Sequence, residues 1–158
     1  PSDQLDSKFT GEAEKTWQWM EEYVLPECGV DAAGKMPDRK IYIMGYSLAG
    51  LFALWALMEK SVLSGAISCS GSLWYPDFLD YAQNHSMCAK PERIYLSVGD
   101  KERKTRHPLM RNVQTAAEDF AAHCQALGIS TTFQLERGNH FNDAAGRTAR
   151  GIRWLLEA

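Results

Sequence analysis

Apolar side chains recur every three or four positions at Ala13, Trp17, Met20 and Val24, which puts them on one face of a helix over residues 11–25. Thr10 is placed to cap that helix, Glu12 and Glu14 suit its positive start, and Pro26 closes it. A polar loop containing GKMPDR leads to KIYIM, residues 40–44, a short β-prone run bounded by Gly45 that reads as a buried strand. From Ser47 to about Lys60 nearly every position is apolar and no polar face emerges before Glu59, so this segment is predicted as a helix covered on most sides. SGAISCS (64–70) and RIYLSVG (93–99) are strand-like, and GSLWYPDFLDYAQNHSM between them reads as an aromatic-rich connection. Residues 109–127 carry Val113, Ala117, Phe120, Cys124 and Leu127 on one side of an amphipathic helix that Gly128 ends. TTFQLE is a fourth strand, and Asp143 is expected to cap a last helix in which Thr148, Ile152 and Leu155 share a face.

Strands alternating with helices predict an α/β fold with a mostly parallel sheet and helices on both faces. Such sheets gather their functional groups outside the carboxyl ends of the strands. The chain has 158 residues, the size of a single domain, 1–158, with one sizeable core. Its 45% apolar and 23% charged residues are the balance of a globular protein, and no apolar run approaches a bilayer's thickness. A formal net charge of -3 offers no global attraction to nucleic acid or to an acidic membrane surface, so neither is expected as a partner. Cys28, Cys69, Cys88 and Cys124 show no metal-ligand spacing; reduced thiols and a cytoplasmic location are expected, with Cys69 and Cys124 as small core residues. The chain opens with Pro1 and not Met, so the lack of a signal peptide carries little weight.

Just past the first predicted strand comes GYSLAG with Ser47, past the third GDKE with Asp100 and Glu102, and past the fourth RGNH with His140. A serine hydroxyl becomes a nucleophile when a neutral imidazole takes its proton, and the imidazole needs a carboxylate to fix its tautomer and stabilise its charged form. Gly45, Ala49 and Gly50 are the small residues that a sharp strand-to-helix turn requires. Leu48 follows the serine, and its backbone N–H at the helix start is a donor for an oxyanion.

GYSLAGLFAL resembles the nucleophile elbow of α/β-hydrolases, and more narrowly the esterase group that includes esterase D, S-formylglutathione hydrolase and the siderophore esterases. An SGSLWY stretch after the next strand, an acid a few residues after a strand-ending glycine, and G-x-H-F at the histidine complete the likeness, as does the helix FTGEAEKTWQWMEEYVLPE before the elbow strand. The resemblance implies a three-layer α/β-hydrolase-like sandwich, a Ser47–His140–acid triad, an ester or thioester as small-molecule substrate, and neither metal nor organic cofactor. The usual G-x-S-x-G is here G-x-S-x-A followed by Gly50. The family's acid falls at Glu102, with Asp100 as the second candidate. Members of this fold have further strands ahead of the elbow, whereas here the stretch before Ser47 is used up by one helix and one strand. The chain thus reads as the C-terminal portion of the fold, and the apolar strand 40–44 is expected to be covered by an upstream segment or by a second copy in a homo-oligomer.

Other readings stand beside this one. Ser47 is also placed to be an ordinary helix cap, His140 a structural loop histidine, and Glu102 a solvated charge in KERKTRH. Tyr46, Trp74 and Tyr75 are candidates for the substrate pocket, or for plain aromatic packing. His107 is the spare base, His85 and His123 have no ligand-spaced partners, and the basic run 101–106 is either a solvated rim or a seat for an acidic substrate. The alternative function is a non-catalytic binding or assembly module derived from a hydrolase. A flavodoxin-like or nucleotide-binding sheet lacks its phosphate loop here.

Overall fold

The computed structural model describes residues 11–31, 34, 36 and 38–157. The chain divides into two units, Pro1–Ile41 and Tyr42–Ala158. In the first, α1 spans Ala13–Trp19 and continues as a wider, π-type turn over Met20–Val24. Trp17 is buried, Glu12 occupies the N-cap position, and the chain runs on through a turn at Pro26. Thr10, the expected cap, lies outside the described residues, as do Lys35 and Pro37 of the predicted loop.

The second unit is built on one parallel sheet in the order β1 (Ile41–Tyr46, entering the unit at Tyr42), β2 (Leu63–Cys69), β3 (Arg93–Gly99), β4 (Ser130–Glu136). Its helices are α2 (Leu48–Glu59), α3 (Phe78–Asn84), α4 (Val113–Ala126) and α5 (Ala144–Leu156). Central strands of a parallel sheet are covered on both sides, which is why β2 and β3 read as continuous apolar runs while β4, at the edge, is more polar and half-exposed. Consecutive strands are adjacent, so right-handed crossovers place α2, α3 and α4 on one face. Phe78 of α3 stacks on Phe120 of α4 with ring centroids 5.8 Å apart. That short α3 arises inside the stretch expected to be a plain connection; seven residues with only Phe78 and Ala82 buried give too short a repeat to stand out in sequence.

α5 covers the opposite face. Gly50 of α2 abuts Ser68, whereas Gly151 of α5 abuts Ile67 and Tyr95, and successive strand residues point to opposite sides. The buried side of α5 runs Arg147, Gly151, Leu155, an i, i+4, i+8 line. The predicted face is therefore corrected: Ile152 is exposed, because the close approach of α5 to the sheet is centred on Gly151, which has no side chain to reveal the face. Asp143 does hold the N-cap position but does not cap. Its backbone is left-handed, at φ 54°, and its carboxylate instead accepts from Arg150 Nη2 at 3.0 Å. The guanidinium of Arg93 lies 3.9 Å over the Trp154 ring and donates to the Leu155 carbonyl, which pins the far end of α5 to the start of β3. Cys69 and Cys124 are core thiols as expected, and all four cysteines are unpaired. No described helix is long and apolar enough to cross a membrane.

A Cβ at residue 151 would stand 2.8 Å from Ile67 Cγ2 and 2.9 Å from Tyr95 Cδ1. Gly151→Val should therefore overpack this contact and lower the unfolding free energy by about 1–3 kcal/mol. The expected result in urea titration is a lower midpoint at unchanged slope.

Candidate active site

Ser47 sits between β1 and α2 with φ 58° and ψ -122°, a region that a non-glycine residue occupies at a cost of about 1–3 kcal/mol. The turn is held by its own backbone: Ser47 N–H donates to the Cys69 carbonyl, and the Ser47 carbonyl accepts from Gly50, Leu51 and Ser72. A side chain at residue 45 would overlap the Ala49 carbonyl, and one at residue 50 would stand 2.7 Å from Ser68 Oγ. Both glycines are therefore demanded by the sharpness of the turn. Leu48 opens α2, so its N–H is one of the amides a helix start leaves without an intrahelical acceptor.

At the ends of β3 and β4 two loops close on each other. Asp100 Oδ1 accepts from Gly138 N–H at 2.8 Å, and Lys101 N–H donates to the Gly138 carbonyl. Gly138 adopts φ 113°, which suits glycine, and Asn139 and Asn142 brace the turn through backbone bonds on both sides of His140. The closure brings His140 Nδ1 to 2.8 Å from Glu102 Oε2. The other oxygen of Glu102 accepts from Gly99 N–H at 2.6 Å, Ser70 Oγ at 2.7 Å and Arg147 Nη1 at 2.9 Å. The Glu102 side chain is 4% exposed and that of Arg147 0%. Burial alone would raise the Glu102 pKa, but the hydrogen bonds from His140, Ser70 and Gly99 outweigh it and hold the carboxyl below its ordinary range.

Ser47, Glu102 and His140 line one cavity of about 350 Å³, together with Trp74, Met110 and Val113. The rest of the expected set divides. Trp74 faces the cavity, but Tyr75 is not among its lining residues. The Tyr46 hydroxyl donates to the His140 carbonyl at 2.7 Å, and its ring meets the imidazole edge-on at 5.5 Å. Strand alternation turns it to the α5 face, with Ile67 and Tyr95. Asp100 ties the loops through Gly138, and the carboxylate bonded to His140 is that of Glu102. His107 lies beside Trp74, with ring centroids 6.1 Å apart. Among the described residues no group of His, Cys, Asp or Glu is arranged to hold a metal ion.

Two participants escaped the sequence reading. Ser70, at φ 48° past the end of β2, turns its hydroxyl to Glu102. Arg147 is one of three arginines in RTARGIR, and nothing local separates it from Arg150 and Arg153, both on the surface. The available signal was position: Arg147 lies four residues before Gly151 and eight before Leu155, in line with the buried face.

No sequence-family profile matches the chain, and no curated protein sequence matches it. Solved structures do. The enterobactin esterase of Shigella flexneri superposes with a TM-score of 0.70 at 22% identity, covering 91% of this chain and 38% of that one. An IroE-like serine hydrolase from Shewanella oneidensis gives 0.70 at 18% identity over 94% of this chain and 49% of that one. The acylaminoacyl peptidase of Pyrococcus horikoshii gives 0.61 at 18%, over 92% and 27%. The chain thus spans less than half the length of each of these proteins. The fold is that of the α/β-hydrolases, as the resemblance around GYSLAG implied.

Because the Glu102 pKa is depressed in the folded state, the unfolded chain takes up this proton first as the pH falls. The stability that Glu102 contributes is complete above its ordinary value of 4.5 and is lost below it, as pH drops through the folded value. In wild type the unfolding free energy should fall in this acid window more steeply than in Glu102→Gln, by at most about 1.4 kcal/mol per pH unit. Equal slopes in denaturant titrations across that window would contradict the depressed carboxyl.

Proposed function

We propose that the chain is a serine hydrolase that cleaves carboxylic ester or thioester bonds by way of an acyl-enzyme. The observation carrying this reading is the His140–Glu102 hydrogen bond at 2.8 Å, facing a cavity that the strained Ser47 also lines. Ser47 Oγ attacks the carbonyl carbon while His140 Nε2 takes its proton, and the electron pair of the C=O bond moves to oxygen. The Leu48 N–H, at the positive start of α2, donates to that oxyanion. Its collapse expels the alcohol or thiol, which receives the proton from His140. Water, deprotonated by the same imidazole, then releases the acid and restores Ser47. Glu102, bonded at Nδ1, fixes the tautomer that leaves Nε2 free to accept, and it stabilises the imidazolium.

Support also comes from the fold neighbours, two of which bear the names esterase and serine hydrolase. Trp74, Met110, Val113 and Phe141 give the cavity an apolar lining suited to the hydrocarbon part of an acyl group. Glu102 is proposed as the acid over Asp100 because Asp100 is engaged by Gly138 N–H.

Treatment with a fluorophosphonate followed by intact-mass measurement should give one adduct, absent from Ser47→Ala. An unlabelled, folded wild-type chain would overturn the reading and favour a binding module. Where turnover of a small ester is measured, Glu102→Gln should lower kcat by about 10⁴ through loss of the correct tautomer. Asp100→Asn, which keeps an acceptor oxygen for Gly138, should stay within about tenfold of wild type. The reverse order would make Asp100 the acid.

A further inference from the structure

Arg147 is a fully buried cation on α5, a helix that supplies none of the three proposed triad residues. Its Nη1 lies 2.9 Å from Glu102 Oε1, 2.9 Å from Ser70 Oγ and 3.3 Å from the Tyr46 hydroxyl, and its Nη2 donates to the Asn139 carbonyl at 3.1 Å. One planar group therefore touches both the carboxylate that orients the imidazole and the backbone from which the imidazole hangs. Tyr46 secures the next carbonyl, that of His140 itself. We propose that Arg147 is the positioning residue of this site: its guanidinium clamps Glu102 to the His140 loop, so that carboxylate and imidazole keep one register. The inference rests on the hydrolase reading for its consequence in catalysis, but not for the clamp.

The charged and titratable groups around the pair come from every element packed there. Around the pair and Arg147 they include Tyr46 from β1, Cys69 from β2, Asp100 from the loop after β3, and Glu136 from β4, which with Arg147 acts on Cys69. Arg147 is the cation in direct contact with the carboxylate, so its removal must raise the proton affinity of the Glu102–His140 pair as a unit, whichever of the two holds the proton. A side chain that merely filled space would leave that affinity where it is.

The test compares wild type, Arg147→Met and Arg147→Lys as whole chains, with circular dichroism to establish folding. The pH profile of ester hydrolysis is one readout, and NMR titration of the His140 imidazole, which needs no turnover, is the other. In Arg147→Met, kcat should fall at least tenfold with KM within about twofold, and both the acid limb and the imidazole midpoint should move to higher pH. Arg147→Lys keeps the charge but has no fork to reach two acceptors, so the midpoint should stay near wild type while kcat stays several-fold low. A folded Arg147→Met with unmoved midpoint and full kcat overturns the proposal. Should that variant not fold, full kcat in Arg147→Lys overturns the clamp. A midpoint that shifts in a chain whose Ser47 takes no phosphonate defeats the hydrolase reading and leaves the placement of Arg147 standing.

Discussion

A carboxylate and a guanidinium, both withdrawn from water, face each other beneath the rim of the sheet, and the rest of the site is arranged around them. Taking each ion out of water costs several kcal/mol, and Coulomb attraction repays this only when the remaining donors and acceptors are also satisfied. Here Glu102 receives hydrogen bonds from Gly99, Ser70, Arg147 and His140, while Arg147 Nε stays buried without a partner among the described residues. Losing either partner alone would strand the other, at a cost of about 3–5 kcal/mol. Several backbone oddities follow from this one pair. A Cβ at Gly99 would meet the Gly138 carbonyl first and would also stand 2.7 Å from Arg147 Nη2 and 3.0 Å from Glu102 Oε1, and Ser70 accepts a left-handed backbone while its hydroxyl reaches the carboxylate.

The strained turn at Ser47 and the ion pair are independent constructions that meet at one cavity. The first is local: β1, α2 and the end of β2 hold it through backbone bonds to Cys69 and Ser72. The second is assembled from β2, β3, β4 and α5. Their meeting point is set by strand order, because adjacent parallel strands deliver their carboxyl ends to the same side. Tyr46 is the stitch between them, reaching from the residue before Ser47 to the carbonyl of His140.

Much of this was legible in the chain. The four strands follow from short β-prone apolar runs, the helix after Ser47 from an almost unbroken apolar stretch and those near Val113 and after Asp143 from their spacing and end signals, while the approach of Ser47, Glu102 and His140 to one cavity follows from each lying past a strand end. What the sequence hid is instructive in physical terms. The buried face of α5 is carried by an arginine and a glycine, residues that hydropathy assigns to the surface or to a turn, so Ile152 looked like the better core position. Tyr46, a candidate for the substrate pocket, gives its hydroxyl to the distant His140 carbonyl, a partner that its place in the chain does not announce. Ser70 and Arg147 are defined by partners far away in the chain, and no spacing rule records such partners.

Beside His140, at the mouth of the cavity, the ring of Phe141 is 87% exposed and meets the imidazole edge-on with centroids 5.2 Å apart. Water is in contact with almost the whole of that hydrocarbon surface, and an arriving molecule that covers it releases this solvent. Fully sheltering a phenylalanine is worth about 1.5–3 kcal/mol, an order of ten to a hundredfold in association. For the proposed reaction, a molecule that lays hydrocarbon against this ring gains from its burial one residue away from His140.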